Sequence, residues 1–218
     1  MYDKSGSSYT LKGNIPHYVS ESNTQPGMPK YKDLNGDGVI DTNDRTMIGR
    51  GLPIHTGGFT NNFEYKGFDL SVFFQWSYGN DVLNANRLFF DSGFQKKREL
   101  NQYASYTDRW TPENPNSNIP AATNSSSNLV ISSRVVEDAS FLRLKTVTLG
   151  YTVPKTFLKK YKIDNARLYV AAQNLWTITG YSGYDPEVSI RSGGLTPGLD
   201  FSSYPRALSV SFGINLGF

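Results

Sequence analysis

The sharpest chemistry in this sequence is carried by the run Asp33-Leu-Asn-Gly-Asp-Gly-Val-Ile-Asp-Thr-Asn-Asp44. Its oxygen-bearing residues recur at the spacing of a calcium loop. Asp33, Asn35 and Asp37 take the first, third and fifth ligand positions, and Asp41 and Asp44 take the ninth and twelfth. Gly38 stands where such a loop turns sharply, and the Val39 carbonyl would supply the seventh ligand. Hard carboxylate, amide and carbonyl oxygens at this spacing suit Ca2+, so one structural calcium ion is expected here. Asp44 stands where Glu is usual, and its shorter arm makes bidentate reach harder. The competing reading is an Asp/Asn/Gly-rich turn that closes on itself without metal.

No other chemistry of that sharpness is present. Cysteine is absent, which excludes disulfides and thiolate metal sites. The only histidines, His17 and His55, have no acid/base constellation around them in the sequence, and no enzyme is expected. The net charge is +3, with short basic clusters at Lys96-Lys97-Arg98 and Lys159-Lys160. These read as solvated faces rather than a nucleic-acid surface.

The elements that would position the loop are strands. Aromatics make up 14% of the chain, and Gly and Pro alternate with apolar runs, an all-β profile. The last stretch is the most regular. Leu208, Val210, Phe212, Ile214, Leu216 and Phe218 alternate with Ser209, Ser211, Gly213, Asn215 and Gly217. Successive side chains of a strand point to opposite faces, so this strand has one apolar and one small or polar face. A membrane-spanning strand needs about 9–11 tilted residues of this kind. Strands are expected at 55–65, 68–78, 140–152, 166–178 and 205–218. Leu70, Val72, Phe74, Leu208, Val210, Phe212 and Ile214 would face lipid. In 140–152 the outward set Val147, Leu149, Tyr151 is out of step with Phe141, Arg143, Lys145, which calls for a bulge or an exit from the bilayer.

Connections alternate in length. The segments 1–54, 79–138 and 179–203 are long, whereas 66–67 and 154–164 are short. Outer-membrane barrels have short periplasmic turns and long extracellular loops. The expected organisation is therefore an extracellular loop region at 1–54 holding the calcium loop 33–44. Barrel strands follow over 55–218, with extracellular loops at 79–138 and 179–203. A strand at Tyr9–Leu11 and helical turns at Lys97–Arg109 and Lys155–Tyr161 are also expected. The N-terminal residues lack the apolar core of a signal peptide, so Met1 reads as an internal start.

Five runs resemble the C-terminal region of SusC/RagA-like TonB-dependent transporters of Bacteroidetes. They are Pro29–Gly49, Tyr65–Gln75, Ala139–Tyr151, Ala172–Glu187 and Tyr204–Phe218, in family order over nearly the whole chain. The resemblance implies an antiparallel outer-membrane barrel of about 22 strands. It implies import of oligosaccharides or peptides, a SusD-like surface lipoprotein as partner, and energy from TonB through an N-terminal part this sequence does not contain. Five strands by themselves would leave two open edges. The alternative is a soluble calcium-stabilised β-rich module that binds glycans or proteins.

Overall fold

The computed structural model describes residues 2–6, 8–13, 15–18, 24–93, 101–124, 126–190 and 197–218. In chain order its strands are β1 (Tyr2–Ser5), β2 (Ser8–Leu11), β3 (His17–Tyr18), β4 (Val39–Ile40), β5 (His55–Tyr65) and β6 (Phe68–Tyr78). They continue with β7 (Asp81–Asn84), β8 (Val136–Asp138), β9 (Phe141–Thr152), β10 (Asn165–Thr179), β11 (Leu199–Asp200) and β12 (Ser209–Gly217). The chain divides into two compact units. One comprises 1–49, 83–136 and 199–202; the other comprises 50–82, 137–198 and 203–218.

The second unit is one antiparallel sheet of five strands in the order β12-β10-β9-β6-β5. This is the antiparallel barrel architecture expected from the alternation. Among the described residues no helix is long and apolar enough to cross a membrane, a statement that does not concern strands. The β5–β6 hairpin closes through Lys66 and Gly67, both at positive φ (48° and 86°). That is the two-residue turn whose twist matches the flanking strands. The β9–β10 connection carries α2 (Lys155–Leu158) and a 3₁₀ turn over Lys159–Tyr161, so the helical turn lies where the sequence suggested it.

Register sets the faces. Phe68, Leu70 and Val72 pair with Tyr151, Leu149 and Val147, and these in turn with Leu168, Val170 and Ala172. Val210, Phe212 and Ile214 of β12 continue the row against Ala172, Val170 and Leu168. On the other side Tyr65, Phe63 and Phe59 of β5 pair with Phe68, Leu70 and Phe74, so one face of the sheet is largely apolar across five strands, with Asn61 the polar member opposite Val72. The reverse face carries Asp69, Ser71, Gln75, Arg167 and Tyr169. Phe73, an apolar residue on that polar face, packs over Gly58, which has no Cβ to block its ring.

Two departures from the sequence reading have physical causes. First, β6–β9 pairing passes from Phe73↔Thr146 to Phe74↔Leu144, leaving Lys145 as an extra residue. This bulge reverses the parity of β9, so Leu142 and Leu144 join the apolar face while Phe141, Arg143 and Lys145 turn to the polar one. On β10 the same step skips from Gln173 to Trp176, with Asn174 at φ 53°. Second, the last strand begins at Ser209 rather than 205. The Arg206 N–H donates to Asp185 Oδ2 at 3.1 Å, and Asn174 Nδ2 donates to the Ala207 carbonyl at 2.9 Å. These contacts engage the backbone just before β12, and Leu208, expected on the lipid face, precedes the ladder.

The first unit is assembled from the long connections. β3 pairs with β4 in parallel, and β1 with β2 antiparallel. Tyr9 meets Trp110 edge-on at 5.4 Å, and its hydroxyl donates to the Pro112 carbonyl at 2.8 Å. Segment 83–136 is not structureless: it holds α1 (Ala85–Phe90), whose N-cap Asn84 accepts from the Arg87 N–H. Of the helix expected at Lys97–Arg109, residues 97–100 lie outside the described residues; Ala104–Asp108 form a 3₁₀ helix.

Candidate functional site: a barrel wall, an inner ionic latch and an acidic loop

The apolar face has the dimensions of a membrane-spanning band. From Phe68 to Tyr78 along β6, ten residue steps of about 3.4 Å give ~34 Å, or roughly 26 Å along the normal at a tilt of about 40°. Aromatic residues mark both ends. Phe68 and Tyr151 are in contact at one end, with ring centroids 4.6 Å apart. At the other, Trp76 Nε1 donates to His55 Nδ1 at 3.1 Å, and His55 stacks on Tyr78 at 5.1 Å. Rings with a polar handle favour the interface between apolar and wet surroundings.

The polar face carries two ionic features. Near one end Asp69 on β6 and Arg167 on β10 bridge across the intervening strand, with Arg167 Nε 3.0 Å from Asp69 Oδ1. The bridge passes over Gly150 of β9, where a Cβ would overlap both side chains. Near the other end the segment after β10 folds onto the sheet through Asp185 and Glu187. Arg143 Nη2 donates to Asp185 Oδ1 at 2.6 Å, and Arg143 Nη1 lies 2.9 Å from Glu187 Oε2. Lys145 and Arg206 each approach Glu187 Oε2 at 3.4 Å, and Gln75 Nε2 donates to its other oxygen at 3.3 Å. Arg143 is 2% exposed and Asp185 3%. Burial pushes the Asp185 carboxyl up. The hydrogen bonds from Arg143 and from the backbone N–H groups of Glu187 and Arg206, with the Arg143 charge, outweigh it and hold the carboxyl below its ordinary range. This latch was missed in the sequence, where the out-of-step parity of Arg143 and Lys145 was its only signal.

The acidic loop lies in the first unit, and its side chains are turned to backbone amides. Asp33 accepts from the N–H groups of Gly36 at 2.6 Å and Gly38 at 2.9 Å. Asp37 accepts from Val39 N–H at 2.8 Å, and Asn35 Oδ1 from Asp37 N–H at 3.1 Å. Asp41 caps the 3₁₀ turn Thr42–Asp44 through Asn43 N–H at 2.7 Å. Asp44 closes the loop by accepting from Leu34 at 2.7 Å and Asp41 at 2.8 Å. Bonds from the Asp41 and Leu34 amides, with a weaker one from Asn35, hold the Asp44 carboxyl below its ordinary range against the opposing desolvation. Gly36 and Gly38 sit at φ 79° and 85°, the left-handed turn a calcium loop needs. The donor set and backbone fit a hard cation. The acidic side chains do not yet converge: among the described residues no group of three or more His, Cys, Asp or Glu is arranged to hold a metal. Val39, whose carbonyl was expected as the seventh ligand, belongs to β4. Beside the loop opens a cavity of about 1290 Å³ lined by Tyr18, Tyr31, Lys32, Arg45, Ile131 and Arg134. Burial, then the neighbouring Tyr18, push the Tyr31 hydroxyl up to about 12, against the opposing charge of Arg134.

An apolar face of spanning length, aromatic ends and an ionic inner face define a stretch of outer-membrane β-barrel wall. No family model matches the chain. It is 38% identical over 213 residues to TonB-dependent receptor P3 of Formosa agariphila, covering 94% of this chain and 21% of the receptor. It is 28% identical over 201 residues to the TonB-dependent receptor SusC of Bacteroides thetaiotaomicron, covering 92% of this chain and 18% of SusC. Among solved structures it is similar to the RagAB peptide importer in its closed-closed state, with a TM-score of 0.70 at 28% identity. That match covers 88% of this chain and 21% of the other. By sequence and fold the chain is homologous to the SusC/RagA-like TonB-dependent receptors, which are outer-membrane proteins. It spans about a fifth of the length of the curated relatives it matches.

Proposed function

We propose that this chain forms part of the wall and outer loops of a TonB-dependent nutrient importer. Its substrate would be an oligosaccharide or peptide, and a SusD-like lipoprotein would sit at the extracellular mouth. The observation that carries this reading is the five-stranded sheet with its apolar outer row and latched polar inner face, in a chain homologous to SusC. The RagAB importer, a structural neighbour, supports the peptide alternative, and SusC is a sequence relative; neither decides the substrate. In this reading 1–54, 79–138 and 179–203 lie outside, and the turns at 66–67 and 154–164 face the periplasm. The cavity beside the acidic loop has tyrosines that can stack on sugar rings and cations that can hold peptide carboxylates, so it suits either substrate class. In an intact receptor carrying this segment, uptake of a labelled oligosaccharide or peptide mixture should stop when TonB is deleted. Uptake that survives without TonB would rule the importer reading out.

Calcium binding by Asp33, Asn35, Asp37, Asp41, Asp44 and the Val39 carbonyl belongs to the same proposal, as a fastener of an outer loop. Swinging the carboxylates from the amides onto the ion is the rearrangement it requires. A Kd of about 10⁻⁴–10⁻³ M would suffice outside the cell. At calcium tenfold above Kd the loop should gain about 1.4 kcal/mol. Calorimetry on the intact receptor should show this binding and its loss in Asp37→Ala. Identical heats for the two proteins would leave the loop as a self-capped turn without metal.

A further inference from the structure

Five exposed lysines gather at one end of the sheet. Lys66 sits at the tip of the β5–β6 hairpin, and Lys155, Lys159, Lys160 and Lys162 lie in the β9–β10 connection. The two turns are neighbours: Thr152 N–H donates to the Gly67 carbonyl at 2.8 Å. Asp164 N–H donates to the Gly217 carbonyl at 2.9 Å, which draws the end of β12 into the same rim. Asp164 is the one acidic residue in 153–164. Leu158 is buried beneath the turn, but Phe157 is 69% exposed and Tyr161 68%. A ring such as Phe157 left in water forgoes the gain of burial. Their turn follows directly on β9, whose Tyr151 forms the aromatic end of the apolar face with Phe68 and Tyr65. Lysines interleaved with exposed aromatic rings, next to the end of a membrane-spanning face, are the composition of a surface that lies against charged headgroups.

We propose that this rim binds anionic phospholipid at the inner leaflet of the outer membrane. Lys155, Lys159, Lys160 and Lys162, with Lys66 beside them, would hold headgroup phosphates, while Phe157 and Tyr161 seat at the interface. The inference rests on the sidedness proposed above. An acidic protein partner would also suit the lysines, but the exposed Phe157 and Tyr161, in a turn that directly follows a strand of the apolar face, favour lipid.

The test uses an intact receptor carrying this segment, reconstituted in nanodiscs of phosphatidylethanolamine and phosphatidylglycerol, with retained lipid read by native mass spectrometry. The parent should retain phosphatidylglycerol preferentially. Lys159→Gln/Lys160→Gln/Lys162→Gln should reduce that preference by up to about a hundredfold, since each of the three lysines near an anionic surface contributes about fivefold. Raising the ionic strength should shrink the parent's preference steeply and the variant's, which rests on Lys66 and Lys155 alone, much less. Equal phosphatidylglycerol retention by parent and variant overturns the proposal. A separate arm labels Lys160→Cys with a membrane-impermeant maleimide. Labelling only after the outer membrane is permeabilised supports the periplasmic position. Labelling in intact cells overturns the sidedness itself, a failure distinct from loss of the lipid preference.

Discussion

Replacing Arg143 with methionine in an intact receptor is expected to cost about 3–5 kcal/mol of stability and to free the segment around Asp185. The guanidinium is almost fully buried and is the partner of a carboxylate that is almost fully buried too. Methionine fills much of the same volume but leaves Asp185 charged, dry and without its cation. Arg206 makes the contrast. It is about half exposed and holds Glu187 from the rim, so Arg206→Ala should cost under about 1 kcal/mol. Urea unfolding in phospholipid vesicles gives the stability. Chymotrypsin cleavage beside the exposed Tyr184 reports release of the segment. Unchanged stability and cleavage in Arg143→Met would show that the network does not hold the loop. The double variant Arg143→Met/Asp185→Leu should recover much of the loss, because neither charge is then stranded.

The same latch has a pH signature with a definite sign. The folded Asp185 carboxyl titrates below its ordinary value of about 3.9, so its contribution is fully present above that value. It is lost as pH falls through the lower folded value. Stability to urea in phospholipid vesicles should therefore show no loss from this group through neutral and mildly acidic pH and decline only below about pH 4. In Asp185→Asn the decline due to this group should vanish.

Arginine at Phe212 is expected to cost about 2–4 kcal/mol in an intact barrel, and arginine at Ser211 much less. Phe212 lies near the middle of β12, on the apolar face, 82% exposed and opposite Val170. Ser211, its neighbour, is opposite Ala171 on the polar face. One step along the strand thus exchanges hydrocarbon for the water-lined interior, and the charge feels the difference directly. Reversible folding into phospholipid vesicles measures both variants. Equal costs would mean that the two faces are assigned the wrong way round.

The strands, their faces and the kinship were legible in the sequence because each depends on residues close together in the chain. Alternation over nine or more residues specifies a two-faced strand wherever it folds, and the Lys66-Gly67 pair needs only its own backbone to make its turn. The acidic loop was legible for the same reason, since its ligand spacing and its two left-handed glycines are contained in twelve residues. What the loop's carboxylates do was not: spacing is equally compatible with metal and with the amide caps seen at Asp33, Asp37, Asp41 and Asp44.

Only the tertiary structure decided the inner face. The parity conflict in β9 could be noticed in the sequence, but the bulge that resolves it at Lys145 is a property of pairing with β6 and β10. Arg143 finds Asp185 across 42 residues and Arg167 finds Asp69 across 98. Neither pair has any local signature. An ion pair is specified by which strands become neighbours, in what register, and whether a residue as small as Gly150 leaves room between them. Those are relations between distant segments, and the chain settles them only when the sheet has formed.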